Sequence, residues 1–138
     1  MDSDRKARTV GDRLQDGVVL MKQSKIWGTT TKLFEHNDTS THMIEVDAGG
    51  YCSKHLHEYR YNEFFVQHGM MEVIVWREDS GLKDITILSD GEKTIVPPCV
   101  YHQFRCMTPT VAMEFYWTEG GNPCEDNDIH RETCGGKG

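Results

Sequence analysis

His55 and His57 stand one residue apart, and His102 ends a second, proline-bearing segment. Side chains at alternate positions of a strand share a face, with Cα atoms roughly 6.5–7 Å apart. Two imidazoles so placed can converge on one ion, because a zinc–nitrogen bond is only about 2.0–2.1 Å long. Adding His102 gives three neutral ligands, which leave a divalent ion its full charge and make it a strong Lewis acid. Open coordination positions would accept the adjacent oxygens of a hydroxyketone or diketone, and with iron they would admit dioxygen. The expected cofactor is one divalent transition metal (Zn, Fe, Ni, Mn or Cu), since the ligand type does not choose among them.

Five residues separate Gly49 from His55, and Gly69 closes the stretch that holds both histidines. Downstream, Gly91, Pro97 and His102 follow at matching intervals. The two segments resemble the signature motifs of the cupin superfamily, with Cys99 standing where a glycine is usual. The resemblance implies an all-β double-stranded β-helix, a jelly-roll barrel, with His55, His57 and His102 pointing into its cavity. Among cupins, the chain is most similar to the cupin domain of type II mannose-6-phosphate isomerases. Ile26-Trp27-Gly28, the Ser53 and Arg60 flanking His57, Glu114, and Asp128-Ile129-His130-Arg131 carry that similarity. The family tail continues to Tyr-Gly-Arg, whereas this chain reads Cys134-Gly135-Gly136-Lys137-Gly138. An arginine that would help hold a sugar phosphate has no counterpart there, so weak or absent sugar-phosphate isomerisation is expected.

Cupins usually add a glutamate as fourth ligand. Counting forward from His57 and back from Gly69 both land on Asn62, and Glu63 comes one residue late. A one-residue shift turns a strand side chain to the opposite face. If Asn62 points inward, Phe64 and Val66 accompany it; if Glu63 does, Phe65 and Gln67 follow, and a bulge is required. Asn62 inward is the expectation, with three histidines and water about the metal.

Arg60, Tyr59, Tyr61 and Glu114 are candidates for substrate binding. Arg60 is either a guanidinium fork over the cavity mouth or a solvated loop residue. Tyr59 and Tyr61 read equally as packing at the rim. Alternation joins Tyr51 and Ser53 to the histidine face and turns Cys52, Lys54 and Leu56 away. It puts Ala112, Glu114 and Tyr116 on one face of a later strand without saying which face is inside. Cys99 and Cys106 read as packing residues, and His36, His42, His68 and His130 as surface.

The elements that must position these groups are short strands between turn residues. They are expected at 31–35, 42–47, 51–57, 63–67, 70–77, 84–88, 93–96, 100–105 and 111–117, with a further strand at 17–21. Asp47-Ala48-Gly49-Gly50, Ser89-Asp90-Gly91 and similar clusters supply the turns. The chain divides into an N-terminal arm (1–24), a barrel (25–118) and a C-terminal tail (119–138) lying over the barrel or fraying. No apolar run approaches the ~18 residues a membrane span requires. No leader-like segment opens the chain, and its five cysteines are irregularly spaced. These features make a cytoplasmic location the expectation. A net charge of −7 argues against nucleic acid as a partner. A homodimer is expected, because barrel sheets leave edges to cover. The functional expectation is a metal-dependent cupin acting on a small oxygenated molecule, by isomerisation or dioxygenation. The alternative is a barrel that binds or senses a small ligand without turning it over.

Overall fold

In the computed structural model, residues 17–138 are described; positions 1–16, most of the expected arm, lie outside them. Every described element is a strand. No helix is therefore long and apolar enough to cross a membrane among these residues.

Among the described residues, thirteen strands follow in chain order. They are β1 (Gln23–Lys25), β2 (Gly28–His36), β3 (Thr39–Val46), β4 (Gly50–Tyr51), β5 (His55–Leu56), β6 (Tyr61–His68) and β7 (Met70–Trp76). After these come β8 (Lys83–Ser89), β9 (Lys93–Val96), β10 (His102–Cys106), β11 (Thr110–Trp117), β12 (His130–Arg131) and β13 (Gly136–Lys137). One sheet runs β1-β2-β3-β11-β6-β9. In the other, β10 is central, with β7 and then β8 on one side and β4 and β5, flanked by β13 and β12, on the other. All pairs are antiparallel, and the two sheets face each other across a common core in the jelly-roll arrangement of the cupin fold.

Alternation builds that core. Phe64 and Val66 of β6, Ile44 and Val46 of β3, and Phe104 and Cys106 of β10 are all buried. Burying a side chain such as Phe64 contributes about 1.5–3 kcal/mol relative to exposure. Trp27 plugs one end, its ring meeting Phe104 edge-on at 5.0 Å. Gly28 beside it has φ of 151°, and a Cβ there would stand 2.0 Å from the Glu45 carbonyl oxygen. No side chain fits that crossing.

The structure departs from the sequence reading in three places. Residues 17–21 form no strand; Val18, Val19 and Met21 are largely exposed, and pairing begins only at Gln23. The expected strand 51–57 is broken at 52–54 into β4 and β5, which resets the alternation. Cys52, expected to point away, is therefore buried in the core, and its sulfur receives the Phe104 N–H at 3.2 Å. Finally, segment 119–138, expected to lie over the barrel or fray, contributes β12 and β13 to the second sheet.

Candidate metal centre

His55 pairs directly with His102 across β5 and β10, which brings two of the three imidazoles together. His57 follows just past the end of β5 and completes the group. The three rings lie 4.6–5.1 Å apart between centroids. Their candidate ligand atoms all fall within 4.8 Å of one another, so this group could hold a metal ion. All three side chains are buried.

Each ring is oriented by a main-chain carbonyl. His55 Nδ1 meets Ser53 O at 2.8 Å, His57 Nδ1 meets Asp128 O at 2.7 Å, and His102 Nδ1 meets Val100 O at 2.9 Å. A carbonyl only accepts, so Nδ1 carries the hydrogen in each case and Nε2 presents a lone pair. The Nε2 atoms of His57 and His102 are buried with no hydrogen-bonding partner. Orphaned buried acceptors are costly unless something binds them. A metal ion fits this donor set, and the carbonyl partners are the usual means of fixing such ligands. Burial lowers all three imidazole pKa values: His55 to about 2, also through His102 and His57; His57 to about 3, also through the Arg60 guanidinium; His102 to about 4. The lone pairs are thus free of protons near neutrality.

Asn62 is fully buried, on the same side of β6 as Phe64 and Val66. Glu63 faces outward and pairs with Lys93 at 2.9 Å. No bulge interrupts the register here, since Asn62 and Glu63 oppose Val96 and Ile95 in order. The Asn62 amide lies against His57 and Glu114, yet neither its oxygen nor its nitrogen has a partner in hydrogen-bonding geometry.

Beside the histidines opens a cavity of about 350 Å³ whose lining includes His55, His42, Arg60, Glu114, Tyr116 and Arg131. Arg60 is no solvated loop residue: it is 3% exposed, and its guanidinium lies 4.0 Å over the Tyr116 ring. Its Nη2 donates to Asp128 O at 3.2 Å, alongside His57 Nδ1, and Nε has no partner. Strand β11 turns Ala112, Glu114 and Tyr116 inward. Tyr116 Oη donates to Glu114 Oε2 at 3.0 Å, and burial raises the Glu114 carboxyl above its ordinary range.

Two proposed contacts do not reach this cavity. Tyr61 precedes inward-facing Asn62, so it turns outward, stacks on Trp117 and donates to Glu119 at 3.0 Å. Tyr59 sits in the turn after His57 and is 44% exposed. Cys99 is exposed rather than packed, with φ of 64°, the left-handed conformation for which glycine is usual at that motif position. Cys106 is packed, and burial pushes its thiol up to about 11.

Sequence reasoning missed His42, Asp126 and the role of Asp128. His42 borders the cavity with a buried Nε2 that lacks a hydrogen-bond partner and lies 3.7 Å from an Asp126 carboxylate oxygen, and its ring meets Tyr116 edge-on at 5.4 Å. Its parity with Ile44 and Val46 on β3 was the available signal. The other histidines read as surface, His36, His68 and His130, are exposed. Nothing local marked the two aspartates, because their partners are far away in the chain.

Neither a protein-family model nor a curated protein sequence matches this chain. Solved structures do match its fold. A single-residue variant of oxalate decarboxylase from Bacillus subtilis superposes with a TM-score of 0.69 at 12% identity, over 81% of this chain and 30% of that one. The capsular polysaccharide assembling protein CapF from Staphylococcus aureus gives 0.70 at 14% identity, over 85% and 32%. A CapF structure with the inhibitor 3-isopropenyl-tropolone gives 0.69 at 16% identity, over 83% and 34%. The chain thus spans about a third of the length of these proteins. Fold and site together define a cupin-type barrel with a three-histidine group that could bind a metal.

Proposed function

We propose that the protein is a metal-dependent cupin that acts on a small oxygenated molecule, sugar-like or a diketone or hydroxyketone, by isomerisation or dioxygenation. The observation that carries this reading is the set of three buried imidazoles, each locked by a carbonyl on Nδ1, beside a cavity that also holds a buried carboxyl and guanidinium. A bound divalent ion would supply Lewis-acid chemistry toward vicinal oxygens or, if redox-active, dioxygen chemistry.

The protein's own residues supply the rest. Glu114, kept protonated more readily by burial and aligned by Tyr116 Oη, is placed to give or take a proton at its carboxyl. Isomerisation of a hydroxyketone needs one such group to carry a proton between adjacent carbons. Arg60 offers its unpartnered Nε–H to an oxygen or carboxylate of the ligand. Two likenesses support this reading: B. subtilis oxalate decarboxylase has Mn(II) centres, which bears on the metal, and CapF binds a tropolone inhibitor, a compound with vicinal oxygens, which bears on the ligand class.

Elemental analysis after purification without chelators is the first test, followed by a screen of sugars, sugar phosphates, hydroxyketones and diketones with and without oxygen. Metal near one per chain and metal-dependent conversion of one of these compounds are expected. No metal uptake on reconstitution overturns the reading, while tight binding without conversion favours the binding or sensor alternative. A homodimer in the cytoplasm remains part of the proposal: Val18, Val19 and Leu20 stand exposed before β1, where they could add to a neighbour's sheet. Light scattering at micromolar concentration giving 15.8 kDa would exclude the dimer.

A further inference from the structure

Resting on the metal-site reading above, we propose that Asp128 is a positioning residue for that site, so that docking of the C-terminal segment and metal loading are linked. Asp128 engages the metal loop with both its main chain and its side chain. Its carbonyl accepts His57 Nδ1–H at 2.7 Å and Arg60 Nη2 at 3.2 Å. Its carboxylate gathers three consecutive main-chain N–H groups, those of Glu58 at 2.7 Å, Tyr59 at 2.9 Å and Arg60 at 3.1 Å. The loop that follows His57 is thereby closed around one residue 71 positions beyond that histidine.

The two sets of contacts do different things. The carbonyl fixes the His57 tautomer and ring plane, the function that the local carbonyls of Ser53 and Val100 serve for His55 and His102. The carboxylate holds that carbonyl in place, because its three charge-assisted bonds tie the main chain at 128 directly to the turn 58–60. Strand β12 then continues the attachment, pairing His130 with Leu56 and Arg131 with His55. His57 is thus the one ligand of the three whose orientation comes from outside its own segment. Binding and the Asp128 contacts are reciprocal: whatever loosens those contacts weakens the site, and an ion in the site tightens them.

The test compares Asp128→Ala, Asp128→Asn and Glu132→Ala with the unaltered full chain, by titration with Co(II) and Zn(II) and by thermal melting of the metal-free proteins. Glu132 is a tail residue whose side chain pairs at 2.7 Å with Lys54, whose ammonium lies 4.2 Å over the Trp76 ring rather than on a histidine. Asp128→Ala keeps the carbonyl but removes the carboxylate that fixes it, and is expected to weaken metal affinity roughly 10-fold, the low end of what loss of a ligand-orienting contact costs. It should also alter the visible absorption spectrum of bound Co(II), a signature that loss of stability alone does not move. Asp128→Asn retains one accepting oxygen and should restore most of the affinity; Glu132→Ala should leave affinity and spectrum unchanged. Asp128→Ala binding Co(II) as tightly as the unaltered chain, with its spectrum, overturns the proposal. So does an equal loss in Glu132→Ala. If Asp128→Ala does not fold, the slowing of exchange at the Glu58–Arg60 amides of the unaltered chain on metal addition decides; no slowing overturns it. Failure of the unaltered chain to take up either ion sinks the metal-site reading itself and is seen before any variant is compared.

Discussion

The main-chain carbonyl of Asp128 accepts the Nδ1 hydrogen of His57 at 2.7 Å, across 71 positions of sequence. Through this contact the histidine least constrained by its own strand acquires a defined tautomer. The same logic, repeated by Ser53 and Val100, leaves three Nε2 lone pairs pointing into one space.

The protein should bind about one transition-metal ion per chain. His57→Ala and His102→Ala should each remove most of it, because each eliminates a buried, otherwise unpartnered nitrogen. Glu63→Ala should retain it, since Glu63 faces Lys93 on the outer surface. Plasma emission spectrometry of the purified variants checks this, and an empty site in Glu63→Ala alone would refute the inward placement of Asn62.

Metal-free protein should lose stability as pH falls below about 6.5, the ordinary histidine value. Burial holds His55, His57 and His102 at about 2, 3 and 4 in the folded state. The unfolded chain therefore binds more protons between the two ranges, and stability rises with pH across that window. It is fully present above pH ~6.5 and declines toward the folded-state values near pH 4 and below. Urea midpoints at about pH 7.5, 6 and 5 measure the slope; a flat or inverted profile across them would contradict it.

Replacing Cys99 by glycine should stabilise the fold. A non-glycine residue in the left-handed region costs about 1–2 kcal/mol, against roughly 0.5–1 kcal/mol of extra chain entropy for glycine. Cys99 has φ of 64°, is exposed, and makes only a 3.5 Å sulfur contact to the Glu58 carbonyl. A gain of about 0.5–1 kcal/mol in denaturant unfolding is expected from the difference.

Asn62→Leu should stabilise the metal-free protein. The amide is fully buried with both polar atoms unpartnered, and such burial costs about 1–3 kcal/mol per group. Leucine has nearly the same shape and would remove that cost. Thermal melting should show a higher midpoint. A lower midpoint would mean that the amide is satisfied in solution.

The sequence by itself determined most of the strands and the three histidines. Strand alternation is local physics, so turn residues and period-two apolar runs marked most of the ladder, and strand 93–96 falls at the expected bounds. The intervals from His57 and Gly69 pointed to Asn62, the residue that the structure turns inward. Only the tertiary structure decided the rest. Cys52 is buried because the chain breaks at 52–54, a kink that depends on pairing with β10 and β13 rather than on local propensity. The inward face of β11 depends on its neighbours β3 and β6, whose registers bring Glu114 opposite His42 and Phe64. Tail residues 126–131 reach the site only through contacts with chain far earlier in the sequence, and no pattern along the sequence encodes that meeting. Contacts of such separation are selected by the closed barrel as a whole, which is why Arg60, solvated or inward by its local sequence, is buried in the molecule.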